Sequence, residues 1–289
     1  MGVRIGDNGG IRVAPESTYG TAGTVWSVQH PRSASLGPRK ALLPSPRLGA
    51  MPTTRAYGVG YADGETEVAY DDHRTVIGDL LAAAGNLSTN TYTIGDGSAP
   101  DTNSLSVWVD YGGYVLQYVG AKLQSLAFGM EGNNPVTLTT GFLAQSVSEE
   151  TPVSLTKPDV AGVVWESDLS TITVGGAGAC FLSGSIEVAI PIVGADRHCL
   201  GAASIKEPEW SGHPTVSGSF NVELEDTSGR DSEAFIASFL AGSAIGDVVV
   251  GDFTLTDCYM TGEPPALGEG ITQFSFGVEA ATLTVTTQA

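Results

Sequence analysis

Polar and apolar residues alternate along much of the chain beyond residue 57. The alternation is clearest in residues 65–70, and a period of two is typical of a strand with one wet face. Further short runs rich in Val, Thr and aromatic residues, separated by Gly, Asn and Asp, predict more strands. These runs are residues 105–111, 114–119, 121–129, 136–148, 219–225, 247–259 and 271–280. We therefore expect a mostly β protein.

Two segments carry a helical pattern instead. Val76, Ile77, Leu80, Leu81 and Ala84 follow the i, i+4, i+8 spacing of an amphipathic helix, and Gly85 ends the run. Residues 231–242 carry a second apolar stripe. Each helix follows a strand, residues 64–70 and residues 218–225, at a spacing of roughly 155 residues, which suits a duplicated domain. We hypothesise two similar domains, residues 56–160 and 161–289.

Residues 1–55 differ from the rest in pattern and in charge. Prolines break any regular element between residues 31 and 52. Seven basic residues stand against two acidic ones, net +5, which leaves six basic and 30 acidic residues, net −24, for the remainder. We interpret residues 1–55 as an N-terminal segment with a long, proline-rich, basic loop.

Composition limits the classes of function. The net charge of −19 excludes attraction of nucleic acid by the surface as a whole. Cys180, Cys199 and Cys258 lack metal-ligand spacing and are expected as reduced thiols. No apolar run approaches the roughly 18 residues of a membrane span. The expectation is a soluble protein made in a reducing cytoplasm, with no membrane, cofactor or metal.

The order of several short motifs across the chain resembles that of siphophage tail tube proteins. The motifs are ESTYGT (16–21), GDLLAAAG (78–85), YVGAKLQSL (118–126), GSIEVAI (184–190), TVSGSF (215–220) and FSFGVEA (274–280). The resemblance implies two β-sandwich or half-barrel tube domains, each with a short helix. It implies a non-enzymatic virion protein of the tail that forms homotrimeric rings of pseudo-sixfold symmetry, stacked into a tube through which double-stranded DNA is ejected without specific binding. Its implied partners are a tape measure protein, a tail terminator and baseplate proteins.

Charge suggests roles for two groups of residues in such a tube. Stacked acidic rings need an offsetting positive charge, which predicts inter-ring contacts from Arg32, Arg39, Lys40, Arg47 and Arg55. An acidic wall repels DNA, and the strand patterns place Glu65, Glu67, Glu223 and Glu225 as its candidate residues. An ordinary solvated strand face explains the same four glutamates equally well.

Other features of the sequence suggest different functions. The oxygens of Asp96, Ser98, Asp101 and Asn103 suggest a calcium loop, but their spacing misses the EF-hand pattern and an Asp-Gly turn is the default. No G-x-S-x-G, H-E-x-x-H or Walker string is present. A β-sandwich adhesin or carbohydrate-binding module is the alternative function, with Trp26, Trp108, Trp165 and Trp210 as the possible platform.

Overall fold

The computed structural model describes most of the chain. The described residues are 9–29, 31–39, 42–44, 55–57, 61–71, 74–154, 156, 162–169, 172–193, 205–223, 226–227, 230–231, 237, 240–262 and 273–287. No helix in this part of the chain has the length and hydropathy that crossing a bilayer requires.

The described part of the chain consists mostly of strands. The α-helix whose bounds lie within the described residues, α1 (Arg74–Ala82), packs against the first two strands. The strands are β1 (Gly10–Pro15), β2 (Ser27–Gln29), β3 (Pro31–Ala34), β4 (Gly37–Arg39), β5 (Leu42–Pro44), β6 (Arg55–Tyr57), β7 (Tyr61–Ala69), β8 (Asn86–Ser88), β9 (Thr91–Ile94), β10 (Leu105–Asp110), β11 (Val115–Glu131), β12 (Thr137–Ala144), β13 (Ser146–Glu150), β14 (Ile172–Val174), β15 (Ala177–Ala189), β16 (Ile192–Val193), β17 (Glu209–Trp210), β18 (Thr215–Glu223), β19 (Asp226–Thr227), β20 (Arg230–Asp231), β21 (Gly246–Val250), β22 (Phe253–Thr261), β23 (Gln273–Ala280) and β24 (Thr282–Thr286). The mostly β fold is thus as the sequence predicts.

Three antiparallel sheets share strands with one another. The long sheet has the order β3/β4-β7-β12-β11-β15-β18-β23-β22. The first short sheet has the order β2-β1-β10-β11-β13. The second short sheet has the order β15-β14-β21-β22-β24-β9-β8. Because β11, β15 and β22 each run from a short sheet into the long sheet, the layers are held together by continuous backbone.

The main hydrophobic core of the described residues lies between the layers, and Ala14, Trp108 and Val115 form a second small cluster. Alternate residues of the long sheet, for example Val68 in β7 and Phe220 in β18, point inward and are buried with the inner faces of both short sheets. Phe253 of β22 contacts Tyr70 and Phe128, with ring centroids 5.2 and 4.7 Å apart. The packing of the first and second parts of the chain is therefore continuous.

The same strand pairing occurs twice along the chain. In the β10–β11 pair, Val107 faces Tyr118 directly after a register shift. In the β21–β22 pair, Val248 faces Leu255 directly after a shift at the matching position. The β3–β7 and β15–β18 pairs also carry matching shifts, next to Ser33 and Ser183. Each long strand turns into the long sheet at a residue with positive φ, Gly120 at 66° in β11 and Asp257 at 52° in β22.

The N-terminal segment contains more regular structure than its sequence indicates. β1 lies at residues 10–15 and pairs with β10, and β3 and β4 pair with β7 in the long sheet. Strand β1 is buried on both faces except at its last residue, so it lacks the alternation that marks a strand. The second predicted helix, residues 231–242, falls largely outside the described residues; Ala237 and Leu240 are helical.

A buried carboxylate fixes the turn after β1. The side chain of Glu16 accepts hydrogen bonds from the Gly20 and Gly120 amides at 2.9 and 2.8 Å, and from the Ser104 and Ser106 hydroxyls at 2.8 and 2.7 Å. Glu16 is 8 % exposed. Since Gly120 is where β11 bends, Glu16 joins the N-terminal turn to that bend, which gives a physical reason for a glutamate in the ESTYGT motif.

Replacing Glu16 tests this junction. Glu16→Gln should lower the free energy of unfolding by about 2 kcal/mol, because the neutral amide keeps one acceptor oxygen and turns an NH2 group toward donors. Denaturant unfolding measures the change. The exposed Glu149→Gln is the control and should shift stability by less than about 0.5 kcal/mol. Equal stability of the two variants would show that the Glu16 network contributes little.

Asp79 of α1 gives a pH-dependent prediction. Burial raises the pKa of Asp79, and the hydrogen bond from the Ser27 hydroxyl at 3.0 Å offsets this only in part. A carboxyl group whose pKa is raised by folding stabilises the folded state at low pH. This stabilisation is lost as the pH rises through the pKa that the group has in the folded state. Asp79→Asn should therefore be more stable than the wild type at pH 7, with the difference shrinking as the pH falls toward 3.8. Melting temperatures across this range provide the measurement, and a pH-independent difference would argue against it.

Candidate functional site: the acidic face of the long sheet

The outer face of the long sheet is a wall of small polar and acidic side chains. On β7, for instance, Thr66 and Val68 point into the core while Glu65 and Glu67 point out. The neighbouring strands alternate in the same way, so their outward positions fall on one surface. Thr, Ser, Ala, Gly and Asn supply most of it. They are Ser125, Ala127, Gly129, Thr137, Thr139, Ser183, Ser185, Thr215, Ser217, Ser219, Asn221, Ser275 and Gly277.

Strand register places several carboxylates on this face. One transverse row can be followed from pair to pair across the sheet. It consists of Ser33, Glu67, Thr139, Ala127, Glu187, Ser217, Glu279 and Tyr259. Three of its eight positions are glutamates. Adjacent strands lie about 4.8 Å apart, so Glu67 and Glu187 are separated by three strand spacings and Glu187 and Glu279 by two. Asp63, Glu65, Glu131 and Glu223 add to the face in the flanking rows.

Among the side chains that the structure describes, the face carries little positive charge. Arg32 is the one cation whose side chain is described there, and its Nε lies 3.2 Å from Glu67 Oε1, while the Ser33 hydroxyl donates to Glu67 Oε2 at 3.2 Å. Both ends of the ion pair are partly exposed, so its contribution to stability is small. Around this single pair the described face is acidic.

The structure brings three of the four predicted wall glutamates together. Glu65, Glu67 and Glu223 lie on the acidic face, and Glu225 is outside the described residues. Sequence reasoning missed Glu187, Glu279 and Glu131. Their strands alternate just as clearly, but only the pairing of β15 and β23 with their neighbours shows that they share this surface.

The predicted basic contacts are spread along the N-terminal segment. Arg32 follows the first residue of β3, Arg39 is the last residue of β4 and Arg55 is the first residue of β6. Lys40 and Arg47 lie outside the described residues. Strands β5 and β6 form a two-stranded ladder that joins none of the three sheets within the described part of the chain.

The edges of the long sheet are the places where another chain could pair. At one end β3 and β4 pair only with β7 among the described strands. At the other end β22 contributes only Tyr259, Met260 and Thr261, so the start of β23 has β18 as its single described neighbour. Unpaired backbone at a sheet edge can accept a further strand.

The tryptophans do not form an open row. Trp108 is buried at 5 % exposure, and the guanidinium of Arg12 lies 5.2 Å from the ring centroids of both Trp108 and Trp26. Trp165 adjoins a 3-10 turn, and Trp210 lies on β17. Trp26 and Trp165, the two most exposed rings, thus belong to different parts of the fold, unlike the flat platform expected of a carbohydrate-binding module.

A second polar cluster lies at the bend of β11 and is internally satisfied. Lys122 Nζ lies 2.8 Å from Glu207 Oε1 and donates to Asn103 Oδ1 at 2.9 Å. Burial opposes ionisation of Glu207, but hydrogen bonds from Lys122 and Asn103 outweigh it and hold the pKa of Glu207 below its usual value. These residues line a cleft of about 420 Å³. The cluster fastens residues 205–210 to β11.

The oxygen-rich loop at residues 96–103 forms a turn. The Asp96 carboxylate accepts hydrogen bonds from the Ser98 amide and hydroxyl and from Asn86, and Asp101 accepts one from the Leu87 amide. The Ser98 bonds hold the pKa of Asp96 below its usual value. These contacts correspond to the Asp-Gly turn that is the default for this sequence.

Among the described residues, no three His, Cys, Asp or Glu side chains cluster as a metal site would need.

Comparison with known proteins supplies the family. The model of the phage tail tube protein family matches residues 6–288. A comparison with curated proteins gave no match. Because the family match spans nearly the whole chain, with the motifs and both short sheets inside it, this chain belongs to the phage tail tube protein family and is a structural protein of the phage tail.

Proposed function

We propose that this chain is the major tube protein of a siphophage tail, and that it polymerises as stacked rings into a hollow, acid-lined conduit for DNA ejection. The observation that supports this most directly is the continuous long sheet, with its open edges and its acidic outer face. A tape measure protein, a terminator and baseplate proteins are the other proposed partners.

The repeated strand pairing supports a ring of three chains with pseudo-sixfold symmetry. The long sheet consists of β3-β7-β12-β11 followed by β15-β18-β23-β22, and matching register shifts and bends occur in both sets. We take these sets as two copies of one tube domain. On this proposal the domain boundary falls between β13 and β14. Strands β1 to β3 then belong to the first domain, which would begin upstream of residue 56.

Edge pairing gives the rings a physical basis. Within the chain, the last strand of the first set pairs with the first strand of the second over Ser125–Ala189 to Glu131–Ser183. A joint of the same kind between copies would bring the β22 end of one long sheet to β3 of the next. Closing a ring in this way satisfies the remaining edge groups of the long sheet in every chain.

An acidic lining accounts for the composition of the wall. DNA carries one negative charge per roughly 1.7 Å of axis and would bind a basic surface tightly. The carboxylates of Glu67, Glu187 and Glu279 repel the phosphates, while the intervening small side chains offer little apolar area for the bases. DNA would therefore pass without being held.

The basic N-terminal segment is suited to contacts between rings. Between residues 17 and 62 the sequence contains no Asp or Glu but includes Arg32, Arg39, Lys40, Arg47 and Arg55. We assign residues 39–57, here called the arm, to an acidic surface of an adjacent ring. Arg32 has an acidic partner in its own chain and contributes less.

Removing the arm tests assembly. A chain with residues 41–56 replaced by a short Gly-Ser linker keeps β3 and β4, and it should retain the circular dichroism and melting temperature of the wild type. Negative-stain imaging should show hollow filaments with a regular axial repeat for the wild type and none for the variant. Wild-type chains that remain solitary at high concentration would refute the proposed function. Normal tubes from the variant would refute only the role of the arm.

Reversing charge on the wall tests the conduit. Tubes of Glu187→Lys/Glu279→Lys should retain short duplex DNA at low salt, and retention should fall as salt rises. Wild-type tubes should retain none. The control is Glu209→Lys, which changes an exposed acid of β17, outside the long sheet. Cosedimentation of labelled DNA with tubes measures retention. Equal retention by the control would mean that the acidic face has no special relation to DNA.

A further inference from the structure

The two repeats differ at one strand edge: the outer edge of β24 is paired, and the equivalent edge of β13 has no described partner. β13 pairs with β11 as β24 pairs with β22: Val147 faces Tyr118 and Leu283 faces Leu255. On its other side β24 is covered by β9, from Leu283–Ile94 to Thr286–Thr91. Within the described part of the chain, no strand covers the corresponding side of β13.

The second half of the chain cannot supply the missing strand from the same place. Hairpin β8–β9 lies between α1 and β10 and occupies Asn86 to Ile94. Only residues 241–245 separate the helical Leu240 from β21. Five residues are too few for two paired strands and a turn. If chains join through their long sheets, as β11 and β15 join within one chain, the outer edge of β13 still has no described neighbour.

The chemistry of the β13 edge selects its partner. Ser146, Ser148, Glu149 and Glu150 are exposed, and only Val147 is half-buried. Charged residues on an edge discourage pairing with identical acidic chains. Because the chain carries a net charge of −19, a strand that pairs with this edge must itself have no net negative charge.

The arm carries that charge, with Arg39, Lys40, Arg47 and Arg55 in its sequence. Its two strands pair with each other from Leu42–Tyr57 to Pro44–Arg55 and, among the described residues, join no other sheet. A two-stranded ladder is marginal by itself in water and gains stability from a third strand. Its flanking sequence is free of acidic residues.

We propose that the free edge of β13 accepts the β5–β6 hairpin of another copy, in the position that β9 takes beside β24. This deepens and rests on the proposed function, because it names the acidic surface to which the arm binds. Backbone hydrogen bonds supply affinity, and attraction between the arm and Glu149 sets which chain is accepted.

Peptide binding to the arm-replaced chain provides the test. A fluorescent peptide of residues 39–57 should bind with saturation, and a scrambled peptide of the same composition should bind far more weakly. Glu149→Lys should weaken binding by about tenfold, since an attraction becomes a repulsion. Hydrogen exchange should show protection appearing in Ser146–Glu150. Thr282–Thr286 of β24 is the internal control, because its edge is already paired, and should not change.

The outcomes separate this inference from the proposed function. Absence of binding, equal protection by the scrambled peptide, or binding without protection of β13 would each overturn it. If the arm-replaced chain fails to fold, hydrogen exchange on wild-type chains provides a second measurement: β13 protection should appear on assembly. Tubes formed by the wild type without such protection would overturn the inference while leaving the conduit proposal in place.

Discussion

Satisfying the backbone hydrogen bonds of strand edges is the constraint on which this structure depends. Every sheet ends in strands whose outer N–H and C=O groups need partners or water. Here β11, β15 and β22 each leave a short sheet and continue in the long sheet, so several potential edges are removed inside one chain. The bends that allow this lie at Gly120 and Asp257, where the backbone adopts the left-handed conformation. Of the four hydrogen bonds that Glu16 accepts, the one from the Gly120 amide lies at the first bend. At the second bend the Asp257 amide donates to Asp247 Oδ1 at 3.2 Å.

Charge and packing act on opposite faces of the same strands. The inward residues of the long sheet form one apolar core, and this core leaves the outward residues free to vary for solubility or function. The outward residues are mainly small, polar or acidic, with a single described arginine that is already paired. A surface with so little apolar area does not drive association by hydrophobic contact. Contacts through sheet edges and through the basic arm are therefore better suited to polymerisation than contacts through the face.

Much of the fold follows from local pattern, and the remainder from long-range pairing. Alternation in residues 65–70 and the stripe from Val76 to Ala84 predict β7 and α1, because the apolar residues of each element recur at the spacing of one face. β1 escapes detection because it is buried on both faces. The membership of Glu65, Glu67 and Glu223 in one surface is suggested by strand periodicity, but Glu187 and Glu279 join it only through register between distant strands. Sequence spacing of roughly 155 residues suggests a repeat, while the matching register shifts near Ser33 and Ser183 become visible only once partners are known.

The aromatic contact among Tyr70, Phe128 and Phe253 has a mechanical consequence. These rings join the packing of the early and late parts of the chain at centroid separations of 4.7 to 5.6 Å, and close-packed interiors resist deformation. The contact among these three rings therefore opposes bending between the early and late parts of the chain. If such chains stack as the proposed rings, curvature of a long filament would be taken up between successive rings and not within each chain.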